Sequence, residues 1–242
     1  MTSQRLIVAL DTADPHTARN WAEAVAPYCG LVKLGLAYFL ANGPDGVRRL
    51  ARETTLPPIF LDLKLHDIPA TVADAVRSVL DLAPRMLTLH AAGGAAMIAA
   101  ARHAAEAAGA TRPMLLAVTV LTSLDDDTLA ATGVPDGAAR QVVRLAQLAM
   151  DAGADGLVCS PREAALLRRA LGPGPKLVVP GIRPTGAAHG DQARVMTPDQ
   201  AIAAGADWIV VGRPITASPD PAAAARAIAT AITPPPATYP PA

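Results

Sequence analysis

The sequence predicts a single (β/α)8 barrel of the TIM type, an α/β fold in which eight parallel strands alternate with helices. Three observations predict this fold. Short apolar runs alternate with Ala-rich stretches of helical length along most of the chain. Eight such runs can be counted, and eight strand–helix units close a parallel sheet into a barrel. The length of 242 residues is also close to that of one such domain.

The predicted strands are mostly continuous apolar runs, which is typical of parallel strands buried on both faces. They are Leu6–Leu10, Leu31–Leu34, Ile59–Leu63, Met86–Leu89, Met114–Val120, Gly156–Cys159, Lys176–Val179 and Trp208–Val211. The intervening segments, such as Pro15–Val25 and Ala139–Ala152, are long enough for helices, and Ala favours helix formation. Two units repeat a Gly-Ala-Asp phrase, at 153–155 and 205–207, in which we expect the Gly to end a helix before the next strand.

The barrel domain is predicted to span residues 1–232, and the Pro-rich residues 233–242 are expected to form a disordered tail. An open doubly wound sheet is the main alternative fold. That fold would normally place a G-x-G-x-x-G turn after its first strand. Here the first strand runs into Asp11-Thr12 without such a turn, which favours the barrel.

Composition limits the possible partners of the protein. Lys plus Arg equals Asp plus Glu, at 21 each, so no overall field favours nucleic acid or an anionic membrane. The two cysteines, Cys29 and Cys159, are far apart and form no C-x-x-C motif, so neither a disulfide framework nor a zinc site is expected. The opening apolar run is too short for a secretion signal, and no stretch is long enough to span a membrane. We therefore expect a cytoplasmic enzyme.

Charged residues interrupt strands that should be buried. Alternation along the third strand places Phe60, Asp62 and Lys64 on the inward face of the barrel. Lys33 lies in the second strand, and Asp11 ends the first. Active sites of such barrels lie at the C-terminal ends of the strands, so these charges predict an active site. The alternative is a structural ion-pair plug, although buried ion pairs often add little to stability.

The residue types favour one kind of chemistry. There is no catalytic Cys/His pair and no G-x-S-x-G motif, so acyl transfer is poorly supported. A lysine among carboxylates retains its proton, because its neighbours stabilise the charged form. This suits a general acid that protonates carbon rather than an amine that forms a Schiff base.

A phosphate site is predicted after the last two strands. Gly212 and Arg213 follow the eighth strand, where barrels of this class commonly bind phosphate. The seventh strand leads into Pro180-Gly181-Ile182-Arg183-Pro184 and then a segment of small residues up to Gln192, which is expected to act as a mobile lid. Glycine lets backbone N–H groups approach an anion, and arginine offers a forked donor.

Together these motifs resemble the orotidine 5'-phosphate decarboxylase family over nearly the whole chain. The most specific of them is the string Asp-x-Lys-x-x-Asp-Ile-Pro-x-Thr at residues 62–71. The other matching segments are Val8-Ala9-Leu10-Asp11, Val32-Lys33-Leu34-Gly35, Leu121-Thr122-Ser123, Pro180-Gly181-Ile182-Arg183-Pro184 and Val211-Gly212-Arg213-Pro214.

The resemblance implies decarboxylation of orotidine 5'-phosphate to UMP and CO2, the last step of de novo pyrimidine nucleotide synthesis, without metal or other cofactor. The implied catalytic residues form a charge network of Lys33, Asp62, Lys64 and Asp67. Lys64 would protonate C6 of the pyrimidine, while Asp62 would face the substrate carboxylate and hold Lys64.

The resemblance also implies the substrate contacts and a homodimer. Asp11 and Lys33 would contact the ribose and Thr122 the pyrimidine edge, and the phosphate would be bound by Arg183, Gln192, Gly212 and Arg213. Asp67 and Thr71 would reach into the active site of the neighbouring subunit.

Two rival functions remain open. Magnesium-dependent sugar-phosphate decarboxylases and synthases share the barrel and the Asp-x-Lys-x-x-Asp string, but they need an acidic metal ligand near the position of Lys33. A barrel that binds nucleotide phosphate without turnover would be expected to lose Asp62 or Lys64. The run Asp125-Asp126-Asp127 is interpreted as a helix start rather than a metal site, and His66 as a structural hydrogen-bonding residue.

Overall fold

The fold is a closed barrel of eight parallel strands, as the sequence predicts. The computed structural model describes residues 3–184 and 196–232. Each strand pairs with the next along the chain, and β8 closes the barrel by pairing with β1. The strands are β1 (Ser3–Ala9), β2 (Cys29–Gly35), β3 (Ile59–Leu65), β4 (Met86–His90), β5 (Met114–Val118), β6 (Gly156–Val158), β7 (Lys176–Val179) and β8 (Trp208–Val211).

Helices follow the strands on the outside of the barrel. They are α1 (Pro15–Val25), α2 (Leu36–Glu53), α3 (Pro69–Val79), α4 (Gly94–Ala105), α5 (Asp126–Ala131), α6 (Gly137–Asp151), α7 (Pro161–Leu171), α8 (Pro198–Ala203), α9 (Arg213–Thr216) and α10 (Pro221–Ala231). Short 3-10 turns occupy Leu80–Leu82, Ala91–Gly93 and Glu106–Thr111. The predicted tail at 233–242 lies outside the described residues.

Strand boundaries differ from the predicted ones by up to three residues. β1 begins at Ser3, because Ser3 pairs with Cys29 before the apolar run starts. β5 ends at Val118, the last residue with a partner on β6, although the apolar run continues to Val120. The type and order of every predicted strand are confirmed, and only the ends depend on pairing.

Two apolar layers correspond to the two faces of the strands. The inner layer fills the barrel with Ile7, Ala9, Leu31, Phe60, Met86, Leu116, Val178 and Val210. The outer layer, which includes Leu61 and Leu63, packs the strands against the helices. The predicted alternation along β3 is therefore confirmed for Phe60 and its neighbours.

The repeated Gly-Ala-Asp phrase has a structural explanation. Gly153 and Gly205 have φ angles of 97° and 106°, which favour glycine, and each lies just beyond the end of a helix. The Asp155 carboxylate accepts a hydrogen bond of 2.8 Å from the N–H of Leu115. Asp207 accepts an equivalent bond, also 2.8 Å, from the N–H of Leu177. Each Asp thus satisfies a backbone donor near the start of the preceding strand.

Two further expectations concern single residues. Asp125 caps α5, because its carboxylate accepts a hydrogen bond of 2.8 Å from the N–H of Thr128, so the acidic run starts a helix as predicted. Cys29 and Cys159 are buried free thiols. Burial raises the pKa of Cys29 to about 12 and also raises the pKa of Cys159, so neither is activated for chemistry. No helix of the described chain is long and apolar enough to cross a bilayer.

Candidate active site

Four side chains of alternating charge meet at the C-terminal end of β1, β2 and β3. Nζ of Lys33 lies 2.9 Å from Oδ1 of Asp11 and 3.3 Å from Oδ2 of Asp62. Oδ1 of Asp62 in turn lies 2.8 Å from Nζ of Lys64. The order is therefore Asp11, Lys33, Asp62, Lys64, with opposite charges in contact at every step. The structure thus brings together the four charges that the strand pattern predicts at the barrel mouth.

Exposure differs along this chain of charges. The side chains of Lys33 and Asp62 are 10% and 13% exposed, whereas Lys64 is 30% exposed and Asp11 59%. The inner pair is therefore held in the barrel wall, and the Lys64 ammonium is accessible from the cavity. Of the two lysines, Lys64 is therefore the more accessible to a ligand in the cavity.

The buried charges are mutually stabilised. Burial opposes the charge on Lys33, but the nearby carboxylates of Asp62 and Asp11 outweigh it and raise the pKa of Lys33. Burial likewise opposes ionisation of Asp62, yet Lys33 and Lys64 lower its pKa below the ordinary value. Both residues are therefore charged at neutral pH.

Thr88 of β4 is a member of the site that the sequence analysis missed. Its hydroxyl donates to Oδ1 of Asp62 over 3.0 Å and accepts a bond of 2.9 Å from the N–H of Lys64. Thr88 is fully buried. The sequence could have indicated Thr88, because it lies two residues after Met86 on the same strand and therefore on the same inward face of β4.

A cavity of about 430 Å³ opens beside these charges, a volume suited to a small ligand. Its floor is apolar and includes Phe60, Val178 and Val210. Its polar and charged lining comprises Asp11, Lys33, Asp62, Lys64, Thr122, Arg183 and Arg213, and Gly212 also borders it. One cavity therefore contains three of the four predicted catalytic residues, Lys33, Asp62 and Lys64, together with the two predicted phosphate-binding arginines.

The phosphate-side residues come from the ends of β7 and β8. The backbone N–H of Arg183 donates to Met196 over 3.0 Å, and its guanidinium donates to the carbonyl of Ile182 over 2.8 Å. Gly212 lies against the first strand, since a Cβ added there would be 3.5 Å from Cβ of Ala9. Arg213 begins α9 and is exposed at the rim of the cavity. Gln192 lies outside the described residues.

Asp67 and Thr71 do not join this cavity within one chain. β3 ends at Leu65. Asp67 is exposed on the segment before α3, and Thr71 is exposed in the first turn of α3. In the described part of the chain, the Asp67 carboxylate accepts a hydrogen bond of 2.6 Å from the N–H of Ile68 and makes no ion pair. Of the four residues of the predicted network, a single subunit therefore brings together Lys33, Asp62 and Lys64 but not Asp67.

Two histidines lie at the C-terminal ends of β3 and β4, where His90 is near enough to Lys64 to feel its charge. The rings of His66 and His90 are 5.3 Å apart and tilted by 34°. The hydrogen bond expected of His66 is not formed with any residue of the described ranges, because its exposed ring faces His90 instead. Burial, with smaller effects of His66 and Lys64, lowers the pKa of His90 below its ordinary value, so its ring is neutral at neutral pH.

Known proteins resemble this chain over nearly its whole length. Residues 4–228 match the model of the orotidine 5'-phosphate decarboxylase / HUMPS family. Orotidine 5'-phosphate decarboxylase from Thermobifida fusca is 58% identical over 93% of this chain and 94% of its own length. The enzyme of the same name from Anaeromyxobacter sp. strain K is 56% identical over 95% of this chain and 99% of its own length.

A solved structure gives the same result at the level of the fold. The crystal structure of orotidine 5'-phosphate decarboxylase from Lactobacillus acidophilus has a TM-score of 0.81 and 37% identity to this chain. The alignment covers 94% of this chain and 98% of that one. From the family match and these identities over nearly the full length, the chain belongs to the orotidine 5'-phosphate decarboxylase family.

Proposed function

We propose that this protein decarboxylates orotidine 5'-phosphate to UMP and CO2, the last step of de novo pyrimidine nucleotide synthesis. The observation that carries the proposal is the position of the Lys64 ammonium, 2.8 Å from Asp62 in a cavity that also contains Arg183 and Arg213. A lysine cation and two guanidinium groups in one cavity suit a pyrimidine ring that carries a remote phosphate. The curated relatives at 45–58% identity bear the name of this activity.

The chemistry follows from the charges. The bond between C6 of the pyrimidine and its carboxylate breaks, CO2 leaves, and the electron pair remains on C6. The Lys64 ammonium stabilises this developing carbanion and transfers a proton to C6, after which solvent returns a proton to the lysine. Lys33 and Asp62 keep the ammonium in a fixed, partly buried field, which lowers the reorganisation needed during the reaction.

The remaining residues bind the substrate in this proposal. Asp11 and Lys33 contact the ribose, and Thr122 contacts the pyrimidine edge. Arg183, Gln192, Gly212 and Arg213 bind the phosphate. The proposal is supported by the shared lining of one cavity by all of these residues except Gln192, which lies outside the described ranges. Binding energy from the remote phosphate can then contribute to assembling the catalytic end of the site.

The proposed reaction uses no metal or organic cofactor. The Lys33 ammonium lies between the Asp11 and Asp62 carboxylates, at 2.9 Å and 3.3 Å, and neutralises the oxygens that a hard cation would need. The Mg2+-dependent alternative within this family requires an acidic group in place of Lys33. The positive charge of Lys33 therefore favours a decarboxylation that uses the Lys33 and Lys64 ammonium groups over the Mg2+-dependent alternative.

The proposed active unit is a homodimer with shared active sites. Asp67 and Thr71 are exposed near the cavity but outside it, and they would complete the site of the partner subunit. Exposed apolar residues support an interface here: Ile68 is 66% exposed beside Asp67, and Leu40 is 79% exposed on the helix after the neighbouring strand. We also propose a cytoplasmic protein without nucleic-acid or membrane partners, in line with its balanced charge.

A direct assay tests the proposed function. Purified protein is dialysed against EDTA, and loss of orotidine 5'-phosphate is followed by absorbance, with UMP identified by chromatography. We expect full activity in the chelator. Absence of turnover would reject the proposed reaction, and activity that returns only with added Mg2+ would favour the metal-dependent alternative.

A further inference from the structure

The backbone of β3 departs from a regular strand at Lys64. Lys64 has a φ angle of 50°, in the left-handed region that side chains other than glycine rarely adopt. The pairing of β3 with β4 changes register between Leu61 and Leu65, so that four steps along β3 match two steps along β4. Such irregularities occur near active sites, where they re-aim a side chain, but they persist only when neighbouring groups hold them.

The group that holds this irregularity is the hydroxyl of Thr88. It accepts a hydrogen bond of 2.9 Å from the N–H of Lys64, the backbone donor that the register change removes from the regular ladder. The same hydroxyl donates to Oδ1 of Asp62 over 3.0 Å, and that oxygen accepts from Nζ of Lys64 over 2.8 Å. Thr88 therefore closes a ring of hydrogen bonds that ties both ends of Lys64 to one carboxylate oxygen.

We infer that Thr88 is a positioning residue, whose hydroxyl holds Lys64 in its left-handed backbone conformation and keeps Nζ against Asp62. Thr88 is fully buried and does not line the cavity, so it acts through Lys64 and Asp62 rather than on the substrate. The consequence of this positioning for turnover rests on the proposed function.

Position 88 requires a side chain that accepts a hydrogen bond from the Lys64 N–H and donates one to the Asp62 carboxylate. A hydroxyl does both at the same time. A valine of the same shape would fill the space but would leave the Lys64 N–H and one acceptor site of Asp62 without this partner. The backbone would then relax toward negative φ and carry the ammonium away from Asp62. Small displacements of a reacting group lower turnover strongly.

The test compares Thr88→Val, which removes the hydroxyl, with Thr88→Ser, which restores it. A matched control is Thr119→Val, since Thr119 is also buried, lies just after β5 and does not line the cavity. We expect Thr88→Val to lower kcat by about 10- to 100-fold through misplacement of Lys64. KM should change by less than about threefold, and Thr88→Ser and Thr119→Val should keep kcat within about threefold of wild type.

Two kinetic results would overturn the inference: wild-type kcat in Thr88→Val, or equal losses in Thr88→Val and Thr88→Ser, which would indicate packing alone. If Thr88→Val does not fold, Thr88→Ala removes the same hydroxyl with less bulk and is judged by the same criteria against Thr88→Ser.

Crystal structures of the variants provide a readout that is independent of turnover. We expect Lys64 to leave its φ of 50° and its 2.8 Å contact with Asp62 in Thr88→Val but not in Thr88→Ser. An unchanged Lys64 in Thr88→Val would overturn the inference whether or not the wild-type protein turns over orotidine 5'-phosphate. Failure of the wild-type assay would instead reject the proposed function and leave this structural test valid.

Discussion

Nζ of Lys64 contacts Oδ1 of Asp62 at 2.8 Å, although the two residues stand on one strand with only Leu63 between them. Residues at this spacing on a regular strand are about 7 Å apart along the chain. The left-handed backbone of Lys64 departs from this regular geometry, and the long lysine side chain then reaches the carboxylate. Asp62 is held from the other side by Lys33, so the Lys64 ammonium has a fixed partner on a rigid strand.

Replacement of Lys64 by alanine should nearly abolish decarboxylation. The change removes both the cation that stabilises the carbanion and the proton that C6 receives, so kcat should fall at least about 10^3-fold. Steady-state assays with orotidine 5'-phosphate measure this loss. Lys176→Ala is the matched control, because Lys176 begins β7 at the opposite end of the barrel, and it should keep wild-type kcat. Residual Lys64→Ala activity within about tenfold of wild type would contradict the assignment.

Replacement of Arg213 by alanine should act through the phosphate. We expect a lower kcat/KM for orotidine 5'-phosphate by about 10- to 100-fold, in proportion to a charge-assisted contact of roughly 1.5–3 kcal/mol. Turnover of orotidine, which lacks the phosphate, should be nearly unchanged. Arg226→Ala on α10 serves as the control, since Arg226 is exposed and does not line the cavity. Equal losses on both substrates would show that Arg213 does not act on the phosphate.

The lowered pKa of His90 predicts a specific dependence of stability on pH. In the unfolded chain the ring binds a proton as pH falls through 6.5, whereas burial keeps the folded ring neutral to lower pH. The unfolded state therefore binds more protons in this window, and the free energy of unfolding should fall as pH falls below 6.5 toward the lower folded value. Above this window His90 causes no pH dependence.

Urea unfolding at about pH 7.5 and about pH 5 measures this effect. His90→Asn should lose less stability than wild type between the two conditions, because no imidazole remains to take up the proton at this site. His103→Asn is the control: the His103 side chain is 89% exposed, and its replacement should leave the wild-type pH dependence in place. Identical pH dependence in wild type and His90→Asn would contradict the prediction.

The shared active site can be tested by subunit exchange. Asp67→Ala and Lys64→Ala proteins should each be inactive if Asp67 completes the partner's site. In a mixed dimer one site carries both defects and the other carries neither. Random mixing in equal amounts should therefore restore about a quarter of wild-type activity, because half of the dimers are mixed and each has one intact site.

A second mixture provides the control for exchange. Asp62→Ala and Lys64→Ala affect the same chain's part of each site, so their mixed dimers contain no intact site and should remain inactive. Exchange itself is verified with differently tagged subunits. If exchange occurs but the Asp67→Ala mixture stays inactive, Asp67 acts within its own barrel.

The local sequence pattern determined the fold, and it also determined which charged side chains face inward at one end of the barrel. Alternation is a covalent property of extended chains, so it predicted that Phe60 and Asp62 share the inward face before any pairing was known. Eight buried runs separated by Ala-rich helices likewise predicted eight parallel strands and closure. The C-terminal ends of parallel strands lie at one end of a barrel, which is why Asp11 and Lys33 could be assigned to one site.

Only the tertiary structure decided the features of the site that depend on how neighbouring strands pair. The register change between β3 and β4, the left-handed backbone of Lys64 and the bridging hydroxyl of Thr88 follow from how two strands fit together, which no local pattern encodes. The ring contact of His66 with His90 replaced an expected hydrogen bond for the same reason. Alternation shows which way a strand residue points, but the partner that it meets depends on the register and twist of the neighbouring strand.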